Sequence, residues 1–200
     1  MGAGAVYVHI PFCTNKCYYC DFNSYVHRGQ PVDDYLSALE QEMAMTVAAD
    51  PPGLIRSVFI GGGTPTVLSP PQLRRLLQAI RTYFPDWEEN CEVTVEANPG
   101  TVDEEKLAAL REGGVNRLSM GAQSFDAALL KRLGRIHQPE DTLASVVAAR
   151  RAGFENISID LMFGLPGQTP ASFRETLNQA LALELPHYSV YSLIIEENTP

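Results

Sequence analysis

Cys13, Cys17 and Cys20 fall within eight residues in the spacing C-x3-C-x2-C, and the chain has only one other cysteine, Cys91. The thiolate is the form that binds metals, and three of them in one short loop repel one another unless a cation lies between them. A structural zinc site closes with four ligands, usually as two C-x2-C pairs, and no second pair follows here. A [4Fe–4S] cluster is normally held by four cysteines, so three would leave one iron open for another ligand. The odd count and the lack of a secretory signal argue against a disulfide framework. A cluster is the preferred reading, with zinc as the alternative.

Other polar residues stand where apolar runs end. Gly61, Gly62 and Gly63 lack Cβ atoms, so backbone groups there can approach a ligand closely. Three successive glycines exceed what a tight strand-to-helix turn needs, so a ligand contact is the preferred reading, with such a turn as the alternative. Glu96 closes an apolar run, and its burial is costly unless it meets a cation or several donors. Asp160 follows Ile157 and Ile159 and is expected at an exposed strand end. Arg135 has a surface ion pair as its alternative. His9 stands close before Cys13 and reads either as support for the metal loop or as ordinary packing. Cys91 reads as a small residue at a strand start, and Trp87 as packing at a helix end.

The elements that must position these groups alternate regularly. Short β-branched runs predict strands over 5–10, 57–60, 91–96, 117–121, 156–161 and 187–192. Helical spacing predicts helices over 31–49, 69–80, 103–112, 126–133, 139–153 and 170–183. Ser69 ahead of Pro70 and Pro71 is a helix start, and Gly113-Gly114 is a helix stop. Strands followed by helices with short connections mean parallel strands joined by right-handed crossovers. The candidates are an open doubly wound sheet and a (β/α) barrel. Five successive strand ends carry the cysteines, the glycines, Glu96, Gln123 or Asp160. An open sheet gathers such residues at one switch point, whereas a barrel collects them from several loops at one mouth. The expectation is an α/β fold, a partial (β/α)6 TIM-like barrel formed by 1–200 as one core domain.

The chain has 200 residues, 45% hydrophobic and 20% charged, as in ordinary globular proteins. Its formal charge of −9, from 24 acidic and 15 basic side chains, argues against a nucleic-acid partner. Arg74-Arg75, Lys131-Arg132 and Arg150-Arg151 read as solvated helix faces. No signal peptide and no transmembrane segment are expected. A reducing, cytoplasmic setting follows as the default.

The cysteine motif, with Tyr19 directly before Cys20, resembles the signature of the radical S-adenosylmethionine (SAM) enzymes. Tyr7-Val-His-Ile-Pro-Phe-Cys13, Phe59-Ile-Gly-Gly-Gly-Thr-Pro65, Gly121-Ala-Gln-Ser-Phe125, Arg135-Ile-His137 and Asp160-Leu-Met-Phe-Gly-Leu-Pro-Gly-Gln168 are similar to the HemN-like group of that superfamily. The group is named for the oxygen-independent coproporphyrinogen III dehydrogenase, which carries a further cysteine just beyond the third ligand. This chain instead has Asp21-Phe-Asn-Ser24, which resembles the HemW-type haem chaperones, as do Leu133-Gly-Arg-Ile-His137 and Ile195-Glu-Glu-Asn-Thr199.

The resemblance implies a [4Fe–4S] cluster on Cys13, Cys17 and Cys20, with SAM on its open iron. It implies that an electron from the cluster cleaves SAM to a 5′-deoxyadenosyl radical. Carried over residue by residue, it implies SAM contacts from Tyr7, Tyr19, Gly62, Gly63, Thr64 and Glu96. Gln123, Arg135 and Asp160 match positions lining a second SAM site. The implied function is haem binding and delivery, with haem and haem-accepting proteins as partners and a flavodoxin or ferredoxin as low-potential electron donor. Decarboxylation of two porphyrinogen propionates is the alternative, and a radical SAM methylase a weaker one. His27, His137 and His187 are each candidates for a haem ligand, with nothing in the sequence to choose among them. The family continues past the sixth strand with a region that covers the barrel mouth. The chain is therefore expected to be the core of a longer protein, and less soluble or stable alone.

Overall fold

Burial alternates along the first strand, with Val6, Val8 and Ile10 covered and Ala5, Tyr7 and His9 on the other face. A period of two marks a strand packed on one side. In a computed structural model that describes residues 4–195, this strand is β1 (Ala5–Ile10). It is followed by the short β2 (Phe12–Cys13) and β3 (Tyr25–Val26), then α1 (Val32–Ala49), β4 (Ile55–Gly62) and α2 (Pro70–Tyr83). Next come β5 (Trp87–Ala97), α3 (Glu104–Glu112), β6 (Arg117–Gln123), α4 (Ala127–Arg132) and α5 (Pro139–Arg151). β7 (Asn156–Phe163), α6 (Pro170–Leu181) and β8 (His187–Ser192) complete the order. The stretch 196–199, part of the resemblance noted above, lies outside the described residues.

Six strands form one parallel sheet in the order β1-β4-β5-β6-β7-β8. Each new strand joins on the same side of its predecessor, so the strand order never reverses. That is the winding of a barrel rather than of a doubly wound sheet, which needs a reversal at its switch point. Among the described residues β1 pairs only with β4 and β8 only with β7 in this sheet, which leaves the barrel partial.

The two faces of the sheet differ in chemistry. Val58, Ile60, Val93, Val95, Leu118, Met120, Ile157 and Ile159 join the core with helix residues such as Leu73, Leu77, Ile80, Leu107 and Leu110. The concave face is polar, where Arg117 Nη1 donates to Glu92 Oε1 at 3.0 Å and Ser158 Oγ donates to Ser119 Oγ at 3.0 Å. Helices start where the sequence places caps. Asp103 Oδ1 accepts from Lys106 N at 2.8 Å, and Asp126 Oδ1 from Ala128 N at 2.8 Å, each worth about 1 kcal/mol. No helix of the described residues is long and apolar enough to cross a membrane.

The strands run further than alternation indicates. Trp87 packs on the end of α2 as read, its Nε1 donating to Phe84 O and the Arg81 guanidinium 3.2 Å from its ring centroid, and it also opens β5, which the sequence did not indicate. The signal was hidden because Glu88, Glu89 and Asn90 are all exposed, which interrupts the period of two. The β2–β3 pair was not expected either, since two-residue strands carry no periodicity.

Candidate functional site

The cysteine loop is closed at its base and braced on both sides. β2 and β3 pair in parallel, with Tyr25 N donating to Pro11 O at 2.7 Å and His27 N to Cys13 O at 2.9 Å. Lys16 Nζ reaches across the loop to Phe22 O at 3.1 Å and Ser24 O at 3.3 Å. His9 joins the loop to β1, its Nε2 2.8 Å from Asn23 O and its Nδ1 2.9 Å from the Tyr7 hydroxyl. On the far side Tyr18 N donates to Leu133 O at 3.0 Å and Asn15 Nδ2 to Gly134 O at 2.8 Å, seating the loop on the α4–α5 connection.

A cavity of about 280 Å³ opens at the C-terminal ends of the strands, beside this loop. Cys13, Cys17 and Cys20 line it, and all three are free thiols. Gly62, Gly63 and Thr64 reach it from β4 and the turn beyond, and Glu96 from β5. Tyr19, Gln123, Arg135 and Asp160 complete the set of sequence-derived residues found on its wall. Tyr7 is not on its wall; it is 60% exposed, its ring stacked on Phe59 at 6.1 Å and its hydroxyl 2.9 Å from His9 Nδ1. Partial burial raises its phenol, and the nearby charge of Glu96 adds to this. Tyr19 also packs against Leu129, Leu133, Met162 and Leu165.

Among the described residues no three His, Cys, Asp or Glu side chains converge on a single-ion position. Three free thiols lining one cavity suit an iron–sulfur cluster, which takes cysteine thiolates as its ligands. Each sulfur also has a hydrogen-bond donor. Thr64 Oγ1 lies 3.7 Å from Cys13 Sγ, Arg135 Nη1 lies 3.5 Å from Cys17 Sγ, and the Phe22 N–H donates to Cys20. Burial pushes the Cys20 thiol up, and that N–H works against the shift.

The glycine run has a reason inside the chain at every position. A Cβ on Gly61 would sit 2.6 Å from Glu96 Oε2, and one on Gly63 2.6 Å from the Phe12 carbonyl oxygen. Gly62 adopts φ +105°, and a Cβ there would come 2.4 Å from the His9 ring. The apparent excess of glycine therefore needs no ligand to explain it. The turn packs β4 against the first residues of the cysteine loop.

Glu96 and Asp160 share the mouth. Glu96 Oε2 accepts from Gly62 N at 2.9 Å. Burial raises its carboxyl above the usual range and nearby Asp160 adds to this, while the Gly62 N–H and His9 oppose it. Burial likewise raises Asp160, against the pull of Ser189 and Arg135. The folded state thus binds the Glu96 proton at higher pH than the unfolded chain does, so the ionised group destabilises the fold near neutrality. That cost fades as pH falls through the raised value towards the ordinary one. Glu96→Gln should therefore melt higher than the parent at neutral pH, with the gap closing in mild acid, as calorimetry across pH will read.

Arg135 is not in the surface ion pair offered as its alternative. It is part-buried, donating through Nη2 to Asn98 Oδ1 at 2.8 Å and to the Gly121 carbonyl, with its buried Nε unpartnered. Gln123 ends β6 beyond an irregularity in its pairing with β7 and holds φ 64°, rare for a residue with a side chain. Its Oε1 accepts from the Tyr191 hydroxyl at 2.7 Å. Burial, with Asp160 adding, pushes Tyr191 up to about 12, so it is a neutral donor. His137 is buried with Nε2 3.2 Å from Ala122 O, and burial together with Arg135 pushes it down to about 4. It is a neutral structural histidine. His187 opens β8, at the strand end away from the cavity.

Sequence reasoning missed Tyr191 and Asn98. Tyr191 could have been found from the period of two in β8, which puts it on the face of Ser189. Asn98 stands at the same strand end as Glu96, a position that marks it as a polar residue of the mouth but does not show what it meets.

The family model described as the radical SAM superfamily matches residues 7–180. The haem chaperone HemW of Bacillus subtilis (strain 168) is 51% identical over 195 residues, covering 98% of this chain and 52% of that protein. The haem chaperone HemW of Escherichia coli (strain K12) is 43% identical over 196 residues, with 98% and 52% covered. Among solved structures, coproporphyrinogen III oxidase (HemN) from Escherichia coli, described as a radical SAM enzyme, is similar at TM-score 0.88 and 38% identity. That match covers 95% of this chain and 44% of that one. The chain spans about half the length of the curated relatives it matches.

Proposed function

The chain belongs to the radical SAM superfamily, and from that premise we propose that it is the cluster- and SAM-binding core of a haem chaperone of the HemW type. The family implies a [4Fe–4S] cluster and SAM, and three free cysteines on one cavity wall, each met by a donor, are chemically fit for the cluster. When bound, the cluster supplies a low-potential electron for reductive cleavage of SAM.

The chain's own residues do the holding. Cys13, Cys17 and Cys20 would hold the cluster, with SAM bound beside it in the same cavity. Gly62, Gly63, Thr64 and Glu96 form the wall towards the methionyl end. Arg135 offers a buried cation with a spare Nε–H, suited to a carboxylate, beside Gln123 and Asp160. Haem, haem-accepting proteins and a flavodoxin- or ferredoxin-like donor are the partners in this reading, and the cytoplasm its setting.

The observation that carries the chaperone reading is the 51% identity to a HemW over 98% of the chain. A second reading, oxidative decarboxylation of a porphyrinogen, draws on the TM-score of 0.88 to HemN. The two part on one experiment with the full-length protein, anaerobic reconstitution followed by haem titration and a coproporphyrinogen assay. Stoichiometric haem binding without decarboxylation supports the chaperone. Formation of harderoporphyrinogen overturns it.

A further inference from the structure

Asn98 lies just beyond β5, between two residues that donate to cysteine sulfurs. Its Oδ1 accepts from Arg135 Nη2 at 2.8 Å and its Nδ2 donates to Thr64 Oγ1 at 2.8 Å. The direction of these bonds follows from valence rather than from a placed hydrogen. A guanidinium has donors only, so the amide must turn its oxygen to Arg135 and its nitrogen to Thr64. Thr64 then accepts from Asn98, and its own hydroxyl hydrogen is left for Cys13 Sγ, 3.7 Å away. The same guanidinium donates through Nη1 to Cys17 Sγ at 3.5 Å.

The surroundings keep the amide in place. Thr101 Oγ1 accepts from Asn98 N at 3.2 Å and donates to Asn98 O at 2.6 Å. Lys106 Nζ holds the same turn, donating to Thr101 O at 3.0 Å and Thr66 O at 2.8 Å. Gly121 leaves room for the bridge, since a Cβ there would come 3.1 Å from Asn98 Oδ1.

We propose that Asn98 is a positioning residue that sets hydrogen-bond polarity at the cluster, turning the Thr64 hydroxyl onto Cys13 while holding Arg135 on Cys17. This rests on the reading that these cysteines carry a [4Fe–4S] cluster. Donors to the sulfurs stabilise the extra negative charge of the reduced form and so raise the reduction potential. Asn98→Asp replaces the donor to Thr64 with a second acceptor. The Thr64 hydrogen then turns to the carboxylate and leaves Cys13, while Arg135 stays paired. Asn98→Ala loses both bonds without adding charge.

The test uses the full-length protein reconstituted anaerobically, with iron and sulfide quantified and no SAM added. Redox titration followed by EPR should show both variants about tenfold harder to reduce, which is ~59 mV for one electron. Electron–nuclear double resonance after exchange into D2O should show an exchangeable proton coupling that is lost in Asn98→Asp and Thr64→Val and weakened in Asn98→Ala, where the Thr64 hydroxyl is no longer oriented but has no competing acceptor. Variants with full iron, an unchanged potential and an unchanged coupling overturn the proposal. If the Asn98 variants do not hold a cluster, the near-isosteric Thr64→Val decides, since a coupling unchanged in it also overturns the proposal. A parent protein without iron or sulfide would instead strike the cluster reading itself.

Discussion

Alanine at Cys13, Cys17 or Cys20 is expected to leave the reconstituted protein without iron or sulfide, whereas Cys91→Ala retains both. The three thiols of the loop share one wall of the cavity, and each has its own donor. Losing even the outer-shell partner of a metal ligand costs ~10–100-fold in affinity, and losing one of three ligands costs more. Cys91 is buried in β5 among the core residues, its thiol donating to the adjacent Glu92 carbonyl at 3.9 Å. Its truncation to alanine removes one buried group, about 1 kcal/mol, or ~2–4 °C in melting temperature for a domain of this size. Iron and sulfide assays beside a thermal melt separate the two classes. Retention of the full complement in Cys17→Ala would sink the assignment.

The second large effect is expected at Gly63. A Cβ there would meet three backbone atoms of the cysteine loop's first residues, Phe12 O at 2.6 Å, Ile10 O at 2.8 Å and Phe12 N at 2.9 Å. None can yield as the end of a flexible side chain could. The backbone bonds Gly63 N to Ile10 O at 2.8 Å and Thr64 N to Phe12 O at 2.7 Å hold the segment next to Cys13. Forcing them apart combines overpacking of ~1–3 kcal/mol with about 1 kcal/mol for each weakened bond. Gly63→Ala should therefore melt well below the parent and lose most of its iron. Gly164→Ala is the control. Its φ of +76° makes it strained, but a Cβ would meet nothing within 4 Å. It should lose only ~1–2 kcal/mol and keep its cluster. Parent-like melting and iron in Gly63→Ala would show that the turn is looser than its contacts require.

The concave mouth also exposes a trade between stability and function. Glu96 and Asp160 are both raised by burial, so each carboxyl group costs the fold stability at neutral pH. Residues kept at such a cost are characteristic of binding sites. If Glu96→Gln gains stability and loses SAM affinity together, the carboxylate is there for its ligand.

How much of this was legible beforehand depended on the range of the interactions. Strands and helices were readable because Val6, Val8 and Ile10, or Leu73, Leu77 and Ile80, repeat with the period of their own element, a local property of the chain. The cysteine spacing was readable because ligands of one short loop must be neighbours in sequence. The start of β5 at Trp87 was missed because three exposed residues broke the local period that would have marked it.

The amino-acid sequence by itself determined the family, the parallel β/α alternation and the three thiols, all of which rest on residues close together in the chain. Only the tertiary structure decided the rest. The unreversed strand order settled the choice between an open sheet and the partial barrel expected from the strand ends. Packing against Glu96, His9 and Phe12 explained glycines that had looked like a ligand signature. Burial turned Arg135 from a surface charge into a donor to Cys17, and left His137 neutral. Asn98 acquired a role because it meets Thr64 and Arg135, which lie 34 and 37 residues away in the chain. The direction of a hydrogen bond depends on which groups meet, and groups brought together by separate loops leave no periodic trace in a sequence.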